Sequence, residues 1–357
     1  MATSATAQAG RDIVIGHSGP FTGPLASTNR EALEVAARYF DLVNARGGVH
    51  GRRITLETMD DAQDTLRAAE NTRTLIERRR AVALFAYRTS PAIQAALPII
   101  TDARIPFIAP QVGPSSLYEP VNPYVFCVRA SYHDEVANAL ELLYSVGFRR
   151  VAFLYADDAF GRDVQSGVIE TLRRLGGQPA VELWVENTST DAGQTVQTLW
   201  GAQPLAIVLA TNNRIAADVI KKFRALSRNS AQFVTLSNNS SASFIKELDG
   251  MGKGVMVTQV LPFPYASMTP IARELRSLLD KIGRTPSYAA MHGFLGAKLI
   301  VEGLRRISAE PTPVGLMNAL DGSMIDLGGF VLDYTRKQRY GSRFVEVTTI
   351  AGDSFYR

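Results

Sequence analysis

From Ile13 onward the chain alternates between short runs of consecutive apolar residues and longer stretches in which apolar residues recur every three or four positions. The first pattern suits strands buried on both faces, and the second suits amphipathic helices. Ile13–Ile15 predicts a strand. Beyond a Gly/Pro-rich loop, Ala32, Val35, Ala36, Tyr39, Phe40 and Val43 form the stripe of one long helix. Thr28-x-x-Glu31 reads as its capping box and Gly47-Gly48 as its stop. Strand Ile54–Thr58, helix Thr65–Arg78, strand Val82–Phe85, helix Pro91–Asp102 and strand Pro106–Ala109 follow. Such alternation predicts a parallel sheet with helices on both faces.

The pattern then restarts. Helix His133–Tyr144, strand Arg150–Tyr155, helix Ala159–Leu175, Gly176-Gly177 and strand Ala180–Val185 repeat the earlier order, double glycine included. Helix Gln194–Trp200, strand Leu205–Leu209, helix Arg214–Leu226 and strand Gln232–Leu236 complete a second α/β unit. After strand Gly254–Val260 come helices at Pro270–Lys281, Ser287–Ile307 and Pro313–Leu320. Gly329–Arg357 alternates like strands around a polar turn at 336–341.

At 357 residues and 46% hydrophobic, the chain can bury two cores, so two domains are expected. A net charge of +4 is small for this length. Arg78-Arg79-Arg80 and Lys221-Lys222 sit at helix ends or outer faces with no interleaved aromatics, so no nucleic-acid partner is expected. The single cysteine, Cys127, rules out an internal disulfide and lies in the apolar run VFCV, which reads as a buried core thiol. His17, His50, His133 and His292 are too scattered for a metal site; no metal and no cofactor are expected. No run approaches a membrane span in length. Residues 1–10 are small and polar, and Ala7-Gln8-Ala9 fits a signal-peptidase site, so they read either as the remnant of an export signal or as an ordinary tail. The first of these readings implies a periplasmic location.

Chemistry concentrates in the turns that follow strands, where open α/β sheets bind ligands. The first such loop carries Ser18, Gly19, Thr22, Gly23 and Ser27 but neither the GxGxxG spacing of a dinucleotide site nor a P-loop ending. Tyr87-Arg88-Thr89-Ser90-Pro91 follows a buried strand and opens a helix, with Ser90 as expected N-cap and Pro91 at the first helical position. Free backbone N–H groups, the Thr89 and Ser90 hydroxyls and the helix dipole make a carboxylate seat there, unless Ser90 merely caps its own helix. Arg88 either adds a charge-assisted contact to an anion or points into solvent. No nucleophile elbow, HExxH, Walker motif or paired acid/base carboxylates occur, so an enzyme is not expected.

The order of these elements, from Asp12 to the C-terminus, resembles the type I periplasmic solute-binding proteins, in particular the branched-chain amino-acid-binding family of ABC importers. Asp157-Asp158-Ala159-Phe160-Gly161 resembles that family's DDxYG motif, with Phe160 in place of the tyrosine that packs on the ligand. YRTS, VRASYHDE (Val128–Glu135) and DLGGF (Asp326–Phe330) resemble one subgroup of it. The resemblance implies an α/β fold of two doubly wound parallel-sheet lobes joined by a three-segment hinge. The crossings would fall near Arg129–Tyr132, Thr258–Leu261 and Val331–Tyr334, giving an N-terminal lobe of 11–129 plus 260–332 and a C-terminal lobe of 130–259 plus 333–357.

It further implies a monomeric receptor that closes on a small-molecule ligand, an amino acid or organic acid, and docks on ABC permease membrane subunits. A ligand-sensing module with the same fold is the alternative. By position, Ser90 or Thr89 would take the ligand's carboxylate, and Gln111-Val112-Gly113 would offer backbone groups, though Gly113 also reads as a plain turn glycine. Ser18, Tyr87 and Arg88 complete the first lobe's candidates. Asp158, Phe160, Asn212 and Asn238 would contribute from the second, Phe160 alternatively as a core anchor and Asp157 or Asp158 as a helix cap. Where the amino-acid binders carry an acidic partner for the ligand's ammonium, this chain has Leu236–Ser241, LSNNSS, which supplies no countercharge. Burying an ammonium without an anion costs several kcal/mol. A binder of α-amino acids would therefore need its countercharge elsewhere, from Asp157 or Asp158.

Overall fold

The computed structural model describes residues 12–23, 25–226, 231–308, 310–335 and 340–357; the export-signal reading at 1–10 and most of the polar turn at 336–341 lie outside them. In the first half the expected alternation is realised as β1 (Ile13–Gly19), α1 (Ala26–Ala45), β2 (Ile54–Asp60), α2 (Thr65–Glu77), β3 (Ala83–Phe85), α3 (Ser90–Ala103), β4 (Phe107–Ile108) and β5 (Val125–Phe126). The five strands are parallel in the order β2-β1-β3-β4-β5. β5 holds Val125 and Phe126 of the VFCV run, and Cys127 just after it is buried as its apolar setting required.

The second half runs α4 (Tyr132–Ser145), β6 (Val151–Ala156), α5 (Ala159–Arg174), β7 (Val181–Val185), α6 (Gly193–Gly201), β8 (Ala206–Ala210), α7 (Asn213–Leu226), β9 (Gln232–Thr235), α8 (Ala242–Glu247) and β10 (Met256–Gln259). Helices α9 (Pro270–Ile282), α10 (Tyr288–Arg305) and α11 (Pro313–Leu320) and strands β11 (Met324–Asp326), β12 (Val331–Asp333), β13 (Glu346–Ala351) and β14 (Ser354–Tyr356) complete the chain. The second sheet runs β14-β13-β10-β9-β8-β6-β7. From β7 to β10 it is parallel and repeats the strand order of the first sheet; β13 and β14 add an antiparallel edge to the parallel sheet expected. In both sheets the order reverses beside the first strand, at β1/β3 and at β6/β8. That is where loops at strand C-termini diverge and leave a crevice.

The chain divides into two units. Unit 1 comprises the described residues of Met1–Gln111, Val121–Val128 and Pro264–Gly341; unit 2 comprises Val112–Pro120, Arg129–Phe263 and Ser342–Arg357. The boundaries differ from those expected, most clearly at two places. Tyr334, placed in advance at a crossing, is buried in unit 1: its hydroxyl donates to the Cys127 carbonyl at 2.8 Å and its ring meets Phe126 edge-on at 5.3 Å. The β11–β12 hairpin therefore stays whole within unit 1. Val112–Pro120 belongs to unit 2, where the Ser115 N–H donates to Asp163 Oδ1 at 2.9 Å.

Two caps also differ. Helix α1 begins at Ala26 with no side-chain cap, Thr28 donates back to the Leu25 carbonyl, and Glu31 accepts from Ser287 instead of closing a capping box. Helix α3 is capped by Thr89, whose hydroxyl accepts from the Ala92 N–H at 3.3 Å, so Ser90 is its first residue rather than its cap.

Candidate functional site

In unit 1 the chemistry gathers at the turn between β3 and α3. Ala86 takes a left-handed φ of 55°, a conformation that costs an L-residue about 1–2 kcal/mol and swings the chain sharply off the end of β3. Tyr87 is then fully buried with its hydroxyl 3.1 Å from Thr72 Oγ1, and burial pushes its pKa up. Arg88 and Thr89 are half-buried. Ser90 is only 2% exposed, and its hydroxyl has no hydrogen-bond partner in the protein. Orphaned buried hydroxyls are costly and cluster at sites that a ligand completes. The hydroxyl belongs to the first residue of a 14-residue helix, beside free N–H groups and the positive end of the helix dipole.

Gln111 joins this turn from the end of β4. Its backbone N–H donates to the Tyr87 carbonyl at 2.9 Å, and its side-chain oxygen lies 3.4 Å from Arg88 Nη1. Its amide nitrogen donates to the Ala86 carbonyl at 2.8 Å and to Asn29 Oδ1 at 2.9 Å. Ser18 sits apart from these groups. It is fully buried, its hydroxyl donating to Asp61 and accepting from Asn71, so its hydrogen bonds are internal to the unit.

In unit 2 the candidate residues form three groups. Gly113 packs where a Cβ would lie 2.9 Å from the Ala130 carbonyl, with Arg129 side-chain atoms at 3.1 Å. Its carbonyl accepts from the Tyr132 N–H at 2.7 Å, and Val112 beside it is buried. Phe160, in the first turn of α5, is half-buried and meets the Tyr132 ring edge-on at 4.9 Å. Asp158 caps α5 by accepting from the Gly161 N–H at 2.9 Å, and Asn187 donates to its other oxygen. Burial raises its pKa and these hydrogen bonds oppose that shift. Asn212 donates to the carbonyl and side-chain oxygen of Asn187, so Asn187 links two candidates that are far apart in the chain. Asn238 donates to the Thr211 carbonyl at 3.0 Å, and its side-chain oxygen is buried without a partner.

Four residues here were not singled out from sequence: Arg129, Tyr132, Glu135 and Asn187. Arg129, 3% exposed, donates to Glu135 and Ser237 and lies over the Tyr132 ring at 4.9 Å. Glu135 is fully buried and also accepts from the Ser237 N–H and hydroxyl and from Thr258. Burial raises its pKa, opposed chiefly by Arg129. VRASYHDE stood out as a motif, but the partners on Ser237 and Thr258 are more than a hundred positions away and left no local signal.

Nothing in this geometry assembles a nucleophile with a base, and among the described residues no cluster of His, Cys, Asp and Glu could hold a metal. No described helix is long and apolar enough to cross a membrane. The residues instead supply hydroxyls, amides, guanidinium groups and helix N-termini near strand ends in each unit, which is equipment for holding a polar solute.

Comparison with known proteins agrees. An amino acid binding protein of Pseudomonas aeruginosa is 26% identical over 167 residues, 46% of this chain, and the match spans 44% of that protein's length. Leu/Ile/Val-binding protein homolog 7 of Brucella abortus is 24% identical over 92% of this chain and 85% of its own. Among solved structures, a substrate-binding periplasmic protein from Ralstonia solanacearum superposes with a TM-score of 0.88 at 29% identity, covering 95% of this chain and 97% of that one. A fatty acid ABC transporter substrate-binding protein from Thermomonospora curvata shares the fold with a TM-score of 0.85 at 20% identity, over 95% of this chain and 88% of that one. The family described as periplasmic binding protein matches residues 12–351. Across nearly its whole length, this chain belongs to the periplasmic binding protein family, whose members bind solutes.

Proposed function

We propose that the protein is the exported, periplasmic substrate-binding component of an ABC importer and that its solute carries a carboxylate. The observation that carries this reading is the buried Ser90 hydroxyl without a partner at the N-terminus of α3, next to the Thr89 cap. A carboxylate oxygen placed there accepts from the Ser90 hydroxyl and the first-turn N–H groups and meets the positive end of the helix. Arg88 adds a charged donor in the same turn. Unit 2, taken by itself, presents an apolar ring and neutral amides at Phe160, Asn212 and Asn238 beside the Gly113 backbone. A branched-chain or aromatic amino acid, or a related carboxylic acid, fits this equipment. The names of the relatives support both ends of that range, amino acids at one and a fatty acid at the other.

The test is a thermal-shift screen of protein stripped of copurified ligand, against amino acids and against aliphatic and aromatic carboxylates. A ligand at about 1,000 times its dissociation constant adds roughly 4 kcal/mol, a shift easily seen. Stabilisation by carboxylates, lost when the carboxylate is replaced by an amide, is the expected result. Silence across the whole set removes the carboxylate seat.

A further inference from the structure

We infer that Arg88 makes the α3 turn selective for acids that carry no ammonium group, and that Gln111, Asn29 and His17 are positioning residues that hold Arg88 to this task. The inference rests on the reading of that turn as a carboxylate seat and names the class of acid it takes.

The argument starts at the deepest residue. The His17 ring is fully buried, between the edges of Phe21 and Tyr87. Its Nδ1 lies 2.9 Å from the Phe85 carbonyl, which can only accept, so Nδ1 carries the proton. Burial keeps the ring neutral, its pKa lowered to about 4 against the opposing bond to Phe85. Nε2 is therefore an acceptor. Asn29 must answer it with its amide nitrogen, at 3.2 Å, and the same nitrogen reaches the Pro20 carbonyl at 3.2 Å. Asn29 Oδ1 then faces outward and takes Gln111 Nε2 at 2.9 Å. The second proton of that nitrogen goes to the Ala86 carbonyl at 2.8 Å. Each amide orientation follows from the one before, and the chain must end on an acceptor, Gln111 Oε1.

That last atom faces Arg88 Nη1 at 3.4 Å. A guanidinium is thus tethered by a neutral amide, one residue before the cap of α3 and two before the Ser90 hydroxyl. One turn then holds two electropositive elements, the helix N-terminus and a fixed cation. Both attract a carboxylate, and both repel an ammonium attached to the adjoining carbon.

The experiment uses matched pairs that differ only in the ammonium group: 4-methylpentanoate against leucine, and 3-phenylpropanoate against phenylalanine. Affinities are measured calorimetrically on the ligand-stripped protein. The expected result is that the acid binds at least about ten times more tightly than its amino-acid partner. Arg88→Leu erases most of that ratio, and Arg88→Lys, which keeps the charge, restores part of it. Gln111→Met shifts the ratio in the same direction as Arg88→Leu. A merely structural defect would weaken both members of a pair equally and leave the ratio alone. Tighter binding of the amino acid by the unsubstituted protein, or a ratio untouched by Arg88→Leu, overturns the inference while leaving the carboxylate seat standing. Failure of both members of both pairs to bind overturns the carboxylate reading itself, and the inference with it.

Discussion

In unit 2 the Arg129 guanidinium donates to the Glu135 carboxylate, with both side chains almost wholly removed from water. Such a pair survives burial only when its remaining donors and acceptors are also met. Here Ser237 and Thr258 meet them on Glu135, and the Ala130 carbonyl takes Arg129 Nε at 3.0 Å. Glu135→Ala would leave a buried guanidinium with its main partner gone. The expected loss is about 3–5 kcal/mol of unfolding free energy by urea titration, with Arg129→Met/Glu135→Leu costing distinctly less.

His17 gives a pH prediction with a definite sign. Its pKa falls from an ordinary 6.5 to about 4 in the folded protein because burial penalises the charged ring. Between those values the unfolded chain binds more protons than the folded one. The stability that His17 contributes is therefore complete above pH 6.5 and is lost as pH falls toward 4. Stability measured from pH 7 down to pH 4 should fall more steeply in the unsubstituted protein than in His17→Gln, by up to about 3 kcal/mol. Equal slopes would mean the ring titrates normally.

Thr89 and Ser90 are adjacent hydroxyls with opposite energetic roles. Thr89→Ala removes a helix cap and should lower the stability of the ligand-free protein by about 1 kcal/mol. Ser90→Ala removes a buried hydroxyl that no protein group satisfies, and should raise it by about 1 kcal/mol. Both substitutions should weaken ligand binding, together by about 1–3 kcal/mol. Unchanged affinity in the double variant would take both residues out of the site.

Gly113 has too little room for a side chain. Its added Cβ would meet the Ala130 carbonyl at 2.9 Å, backbone that cannot step aside cheaply, and the Arg129 side chain at 3.1 Å. Gly113→Ala should cost about 1–3 kcal/mol of stability through this overpacking. A melting temperature equal to that of the unsubstituted protein would show that the loop gives way freely.

Phe160 tests the division between binding and folding. It is half-buried and touches Tyr132 edge-on, so its packing is less complete than that of a core phenylalanine. Phe160→Ala should cost less than the roughly 3–5 kcal/mol of a fully buried ring and should reduce ligand affinity more than stability. A large drop in the melting temperature of the ligand-free protein would make Phe160 a core residue.

Local order along the chain was legible from sequence because it rests on short-range rules. Apolar runs such as Val151–Ala156 suit buried strands, and stripes such as Val35, Ala36, Phe40 and Val43 suit helices with one face inside, and both formed as such. The turn Tyr87–Pro91 announced itself in sequence by its strand, hydroxyls and proline, and the structure forms a turn into α3 there. Even so, the cap falls on Thr89 rather than Ser90, and nothing in an alanine signals the positive φ that Ala86 adopts just before it.

What only the tertiary structure decided are the partnerships between residues far apart. His17, Asn29, Ala86 and Gln111 become one hydrogen-bonded chain because β1, α1, β3 and β4 bring their ends together. Glu135 meets Arg129 locally, yet Ser237 reaches it from the turn after β9 and Thr258 from β10. Tyr334 was placed at a crossing by the family resemblance, and its bond to the Cys127 carbonyl and its contact with Phe126 bury it in unit 1. Hydrophobic periodicity reports which face of an element is buried and is silent on which element it faces. Polar side chains in a core are specified by partners rather than by pattern, so their roles appear only once the sheets have formed.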